Sequence, residues 1–138
     1  MLRIELLDWD RAREEAAAIR FAVFVEEQGV PAEIEMDEAD ALSVHALAYH
    51  GGEAVGTGRL LPDAHIGRMA VLKAWRGRGA GGLILARLLD AARARGDAVV
   101  RLSAQVHALG FYRAHGFEAL GQVYQEAGIA HQAMRIAL

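Results

Sequence analysis

Arg76-Gly77-Arg78-Gly79-Ala80-Gly81-Gly82 puts four glycines and two arginines into seven residues. A strand-like run, His65 to Val71, comes before it, and a helical repeat of Leu83, Ile84, Leu88, Ala91 and Ala92 follows. At such a strand-to-helix junction the first N–H groups of the helix are unpaired and lie at the positive end of its dipole. Glycines let that backbone approach an anion closely, and Arg76 and Arg78 add charge. The expected ligand is a phosphate or pyrophosphate. An exposed helix end contributes only about 0.3–1 kcal/mol to holding an anion, so the N–H donors and the arginines must act together.

Two better-known glycine patterns fail on context. Gly77, Gly79 and Gly82 satisfy G-x-G-x-x-G, but Leu72 to Arg76 separate them from the strand, and no acidic residue closes the next strand, which ends in Ala104-Gln105. No Gly-Lys-Ser or Gly-Lys-Thr completes a P-loop.

Other reactive groups are unevenly distributed. The formal net charge of -3 hides an acidic block, residues 21 to 58, with eight carboxylates and no Lys or Arg, followed by a basic block, 59 to 101, with nine basic residues against three acids. Seven of those carboxylates fall between Glu26 and Asp40. Such a segment is either a solvated surface or the wall of a site for a cationic acceptor. The six histidines match no familiar metal-ligand spacing, so no metal is expected. There are no cysteines, which excludes thiol catalysis, Cys-ligated zinc and a disulfide framework. The basic block coincides with the glycine loop and its helix and lacks interleaved aromatics apart from Trp75, so no nucleic-acid partner is expected.

These groups need elements to hold them. At 138 residues the chain is one domain's worth, able to bury about two-thirds of its unfolded surface. No run is long and apolar enough to span a bilayer and Met1 to Glu5 shows no signal-like core, so a cytoplasmic chain with no membrane role is expected. Alternating Leu2, Ile4 and Leu6 read as a strand. Asp8 or Asp10 can cap a helix through Arg20 that continues into Phe21 to Val25, and Glu26 to Asp40 reads as a long acidic loop. Strands Ser43–Tyr49 and Glu53–Leu61 are joined by a hairpin at His50-Gly51-Gly52, and His65–Val71 is the next strand. After the basic loop, Leu72 to Gly82, comes a helix ending at Gly96, then strand Ala98–Ala104, helix His107–His115, and strands Phe117–Tyr124 and His131–Leu138. Phe111 is the expected core member of the pair Phe111-Tyr112. The order β-α-β-β-β-α-β-α-β-β makes this an α/β (α+β) domain with a mixed, mostly antiparallel sheet of six to seven strands.

Read as R-x-x-G-x-G over Arg76, Gly79 and Gly81, the loop resembles the pyrophosphate-binding signature of the GCN5-related N-acetyltransferase (GNAT) superfamily. His65 to Val71 looks like that family's central strand, and Phe111-Tyr112-Arg113-Ala114-His115-Gly116-Phe117 like its later helix-to-strand segment. Arg20 to Pro31, with Glu33, Glu35, Asp37 and Asp40 and with Gly128-Ile129-Ala130-His131, resembles a branch of small bacterial acetyltransferases. Ala130 departs from it, since proline is expected there.

The resemblance implies one N-acetyltransferase domain over residues 1–138 that takes acetyl-coenzyme A and transfers its acetyl group directly to a primary amine on a small molecule or peptide, a cationic one if the acidic segment binds it. It implies cofactor contacts at Met69, Ala70, Val71, Arg76, Gly77, Arg78, Gly79, Ala80, Gly81, Gln105 and Tyr112. Tyr112 is the implied proton or hydrogen-bond donor to the leaving thiolate, and a backbone N–H of Met69 to Val71 the implied oxyanion donor. For the base that deprotonates the amine, the acidic segment offers Glu33 among its carboxylates, and His131 can reach the same cleft. Members are often dimers, which leaves a homodimer open, and a non-catalytic acyl-coenzyme A sensor on the same fold is the competing reading.

Overall fold

Strand β1 (Leu2–Leu7) turns Leu2, Ile4 and Leu6 toward one face of a sheet, as their period of two requires. In this computed structural model every residue is described except Met36, and of Ile34 only the backbone. The carboxylate of Asp8 then accepts the N–H of Arg11 at 3.0 Å and starts α1 (Trp9–Arg20). The helix continues past Arg20 as expected, but as a seven-residue π-helical segment, Phe21–Glu27. Its wider turn is closed by the N–H of Gln28 on the carbonyl of Val23, five residues back.

The expected acidic loop is not a plain loop. It holds a short helix α2 (Ala32–Glu35) and a 3-10 turn, Glu38–Leu42, capped by Asp37. Composition suggested a loop because its carboxylates lack a local counter-charge, and their partners turn out to lie in other elements.

Strands β2 (Val44–His50) and β3 (Glu53–Leu60) meet in a hairpin whose two turn residues, Gly51 and Gly52, both take positive φ (59° and 95°). The chain continues through β4 (His65–Val71), α3 (Ala80–Ala94), β5 (Val99–Gln105), α4 (Leu109–Ala114), β6 (Glu118–Glu126) and β7 (Ile129–Ala137). The expected glycine loop of residues 72 to 82 is shorter than its composition implied, because Lys73–Trp75 forms a 3-10 turn and α3 already begins at Ala80. The seven strands form one sheet in the order β1-β2-β3-β4-β5-β7-β6, antiparallel except between β4 and β5.

Helix α1 covers one face of the sheet, and α3 with the shorter α4 covers the other. β2 alternates between them, with Ala46 and Ala48 packed toward α3 and Leu47 and Tyr49 toward α1. Helix α1 brings Ala12, Ala16 and Ile19 to its face, and α3 brings Ile84, Leu85, Leu88 and Ala92 to the other, all nearly or fully buried. The α3 face is the larger core and includes Val55, Leu60, Val100, Leu102 and Met134. Close seating of α3 depends on Gly58, where an added Cβ would lie 2.5 Å from Met69 Sδ and 2.9 Å from Ile84 Cγ2.

One irregularity creates the site. β4 and β5 pair only through His65 with Arg101 and Ile66 with Leu102. Just beyond, Arg68 takes a positive φ of 48° and the register with β3 shifts, the signature of a β-bulge. The bulge bends β4 away from β5, so residues 67 to 71 have no strand partner on that side.

Candidate active site

A cavity of about 810 Å³ opens where β4 and β5 part. Its walls are Gly67 to Val71 on the β4 side and Ser103 and Gln105 on the β5 side, with the π-helical segment above and the β6–β7 hairpin opposite. The unpaired backbone of β4 faces this space, a row of donors and acceptors able to receive an extended polyamide as an added strand would be.

At one end lies the glycine loop. Gly79 is the N-cap of α3 with φ 89°, and the first α3 amide with an acceptor in the chain's own helix is Leu83, on the carbonyl of Gly79 at 3.1 Å. The N–H groups of Ala80, Gly81 and Gly82 therefore point out of the helix start. Gly82 also answers a packing demand, since a Cβ there would stand 3.3 Å from the His115 ring at the C-cap of α4. The two arginines behave differently. Arg76, which lines the cavity, gives a bidentate pair to Glu27 at 2.7 and 2.9 Å and donates Nε–H to the carbonyl of Val71 at 3.0 Å. Its hydrogen bond holds Glu27 below the usual carboxylate range. Arg78 lies over the ring of Trp75 at 5.0 Å.

Gln105, at the end of β5, exchanges hydrogen bonds with Gln28 at 2.8 and 3.3 Å and meets His107 Nε2 at 2.7 Å. Glu27 and Gln28 are consecutive, so the end of the π-helical segment is tied to both sides of the cleft.

Tyr112 and Phe111 exchange the places expected of them. Tyr112 is 8% exposed and meets Phe117 edge-on, whereas Phe111 is 37% exposed and rests against the first turn of α3. A six-residue helix has room for one inward aromatic, and the turn at Gly116 that brings Phe117 inward selects Tyr112. Tyr112 still lines the cavity, no hydrogen bond to its hydroxyl is formed by the described residues, and burial pushes its pKa up to about 12.

His131, also on the cavity wall, is 7% exposed. Its Nδ1–H donates to the carbonyl of Ile129 at 2.7 Å, which leaves Nε2 as the proton-accepting nitrogen. Nε2 lies 3.5 Å from the Glu126 carboxylate, and the imidazole stacks on Tyr124, whose hydroxyl meets that of Ser103. Glu33, the other expected base, is exposed on α2 and is not part of the cavity wall. A four-residue helix turns alternate side chains to opposite sides, and it is Glu35 that points inward.

Glu35 belongs to a network that sequence reading missed. Arg20, 1% exposed, pairs with the Glu35 carboxylate and with Asp40 at 2.8 Å. Arg59 pairs with Asp37 at 2.7 Å and with Asp40 at 2.8 Å, and Arg68 reaches Asp37 at 3.3 Å and the carbonyl of Glu35 at 2.9 Å. His45 donates Nε2–H to the carbonyl of Asp40 at 2.9 Å. Glu35, Asp37 and Asp40 are thus neutralised by arginines from α1, β3 and β4, so these three carboxylates are neither the plain solvated surface nor the uncompensated wall that composition left open. A signal was present: Arg20 continues the buried four-residue spacing of Ala12 and Ala16, and Arg59 shares the buried strand face of Thr57, opposite Leu47 under α1.

The network ties stability to pH. The hydrogen bond from Arg59 holds Asp37 at about 2 against the opposing effect of burial. Burial alone would raise Asp40, but the hydrogen bonds and charges of Arg20 and Arg59 carry it below the ordinary value. Burial keeps His45 below the usual imidazole value. All three groups are lowered in the folded state, so the unfolded chain takes up protons first as pH falls. Stability should fall as pH drops below the ordinary histidine value of 6.5, through His45, and again below the ordinary carboxylate value of 3.8, through Asp40 and through Asp37, whose share is lost on the way down to about 2. Urea midpoints measured from neutral pH down through the carboxylate range should trace these two windows, and a single smooth decline would contradict the assignment.

A family model described as an acetyltransferase (GNAT) domain matches residues 10–138. The chain belongs to the GNAT acetyltransferases. An uncharacterised N-acetyltransferase of Bacillus subtilis, YjcF, is 40% identical over 125 residues, covering 88% of this chain and 89% of that one. Among solved structures of similar proteins, an acyl-CoA N-acyltransferase from Pseudomonas aeruginosa superposes with a TM-score of 0.88 at 32% identity, covering 99% of this chain and all of that one. Escherichia coli ElaA gives 0.88 at 29% identity, with 99% of each chain covered. The seven-stranded mixed sheet is therefore the GNAT fold, and the expected small bacterial branch is the one matched. No helix of the described residues is long and apolar enough to cross a membrane.

Proposed function

We propose that this GNAT acetyltransferase uses acetyl-coenzyme A and transfers the acetyl group directly to a primary amine of a small molecule or peptide, within a single domain spanning residues 1–138. The observation that carries this reading is the parting of β4 from β5, which leaves a free strand edge, Arg76 at the head of the glycine loop, Tyr112 and His131 around one cavity. Acetyl-coenzyme A would supply the activated thioester. The backbone of Gly77, Gly79, Ala80 and Gly81 would hold its pyrophosphate, with Arg78 alongside. The Arg76 guanidinium is committed to Glu27 and the Val71 carbonyl, so its direct contact with phosphate requires exchange of Glu27.

Along β4, Met69, Ala70 and Val71 would pair with the amides of the pantetheine arm, and one of their N–H groups would meet the negative charge developing on the thioester oxygen. Gln105 reaches the same arm from the opposite strand. His131 takes the amine proton at Nε2, and the exposed Glu126 carboxylate beside it passes that proton to solvent.

The phenol of Tyr112 stays protonated at working pH, since burial has pushed its pKa to about 12. A thiolate of ordinary pKa, about 8.5, cannot strip that proton, so Tyr112 acts by donating a hydrogen bond to the departing sulfur. Tyr112→Phe should lower kcat by about 10²-fold, the usual effect of losing one preorganised donor, with the coenzyme A Kd nearly unchanged. Thiol release from acetyl-coenzyme A across a panel of amines, with coenzyme A binding followed alongside, tests the whole reading. Binding without turnover on any amine would make the protein a sensor, and equal kcat for Tyr112→Phe would remove the tyrosine from the mechanism.

A further inference from the structure

The two ends of the cavity lie on opposite faces of the sheet. The start of α3 belongs to one face, and the π-helical segment, which continues α1, to the other. Leu102, Ala104 and Met134 belong to the core under α3, so Ser103, Gln105 and His131, which alternate with them, face the α1 side. A thioester passed between β4 and β5 from the glycine loop therefore emerges on the α1 side, beside His131.

On that side most charges are already matched. Glu35 pairs with Arg20, Arg59 with Asp37 and Asp40, Arg68 with Asp37, and His65 with Asp63 at 3.1 Å. Glu126 differs: it is a carboxylate of the cavity wall with no arginine or lysine beside it among the described residues, 3.5 Å from His131 Nε2 and with its side chain 55% exposed. The same side of the cavity carries apolar groups. Val30 is held to Phe24 by its N–H on the Phe24 carbonyl at 2.9 Å. Leu61 alternates with the core residue Leu60, and Ile129 is the strand partner of Glu126. All four line the cavity and all are only half-buried.

We infer that the acceptor is a small primary monoamine with an uncharged, apolar body, whose one ammonium meets Glu126 and whose body lies against Phe24, Val30, Leu61 and Ile129. This rests on the transferase reading above and narrows its substrate class. A second charge of either sign would meet a wall whose charged groups already have partners, and would be buried unpaired. An apolar body instead takes the water off half-buried apolar side chains, which is worth about fourfold in affinity for each methylene buried.

Straight-chain amines test this. Propylamine and hexylamine share one basicity and differ in apolar length, and the diamine of hexylamine's length adds one charge. Hexylamine should exceed propylamine in kcat/KM by at least about tenfold, a part of the roughly sixtyfold that three fully buried methylenes would give. The diamine should fall at least about tenfold below hexylamine although it offers two reactive ends, since its second ammonium finds no partner. Val30→Asp supplies that partner, so in this variant the diamine should match or overtake hexylamine, with an unchanged coenzyme A Kd as the sign that it is folded. A flat response to chain length, a wild type that prefers the diamine, or a preference unmoved in folded Val30→Asp would each overturn the inference, and the wild-type comparison decides by itself if the variant does not fold. Coenzyme A binding with no amine turned over would instead be the failure of the transferase reading itself.

Discussion

Arg20→Met should cost about 3–5 kcal/mol of folding stability, the range found when one partner of a buried ion pair is removed. Arg20 is 1% exposed, and its loss would leave the carboxylates of Glu35 and Asp40, 4% and 2% exposed, without their shared counter-charge. Arg59 would still neutralise part of Asp40, and Arg68, which feels the charge of Glu35, would offset that carboxylate only in part. The same guanidinium also lies 5.5 Å from the Trp9 ring, so packing at the start of α1 would be disturbed as well. A domain of this size has only about 5–15 kcal/mol in total, so the variant should unfold at much lower urea or fail to accumulate. The contrast is Arg3→Ala, which removes a pair with Glu5 whose side chains are 63% and 42% exposed and should change stability by less than about 1 kcal/mol. Urea unfolding of both variants checks this. Similar small losses would mean that the network does not hold the acidic segment in place.

Gly79→Asp should weaken coenzyme A binding by at least about a hundredfold while leaving the protein folded. The residue sits at φ 89°, where a side chain is strained by about 1–2 kcal/mol, although aspartate tolerates this region better than most. The larger effect is electrostatic. The new carboxylate would stand at the N–H groups that start α3, occupying donors that a phosphate requires and repelling the phosphate itself. Nothing lies within 4 Å of the position that the new Cβ would take, so the core under α3 should be spared. Calorimetric titration with coenzyme A, together with a thermal melt, separates the two effects. Retained affinity would move the phosphate site away from α3.

The order of elements was legible because its signals are local. Period-two alternation in β1, two adjacent glycines in the first hairpin, and the spacing of Ile84, Leu88 and Ala92 each depend on residues a few positions apart. The glycine loop was legible for the same reason. Features that depend on distant pairing were not. The acidic segment looked uncompensated because Arg20, Arg59 and Arg68 come from three other elements. Glu33 and Glu35 were indistinguishable as carboxylates until α2 set one outward and the other inward. Phe111 and Tyr112 changed places because Phe117, beyond the turn at Gly116, decides which face of α4 is buried. The bulge at Arg68 that opens the cleft was not legible from its neighbour Gly67, since it is the arginine, not the glycine, that takes the positive φ.

The central claim is that acetyl-coenzyme A lies in the opening between β4 and β5, its arm along Met69 to Val71 and its phosphates at the start of α3. Amide hydrogen exchange, followed residue by residue with and without coenzyme A, tests this most directly. Protection should rise in residues 67 to 71, whose side toward β5 has no strand partner, and in residues 77 to 82, ahead of the first intrahelical bond of α3, while β1 and β2 stay as they were. Unchanged exchange at both segments under saturating coenzyme A, or protection confined to another face of the sheet, would contradict the account.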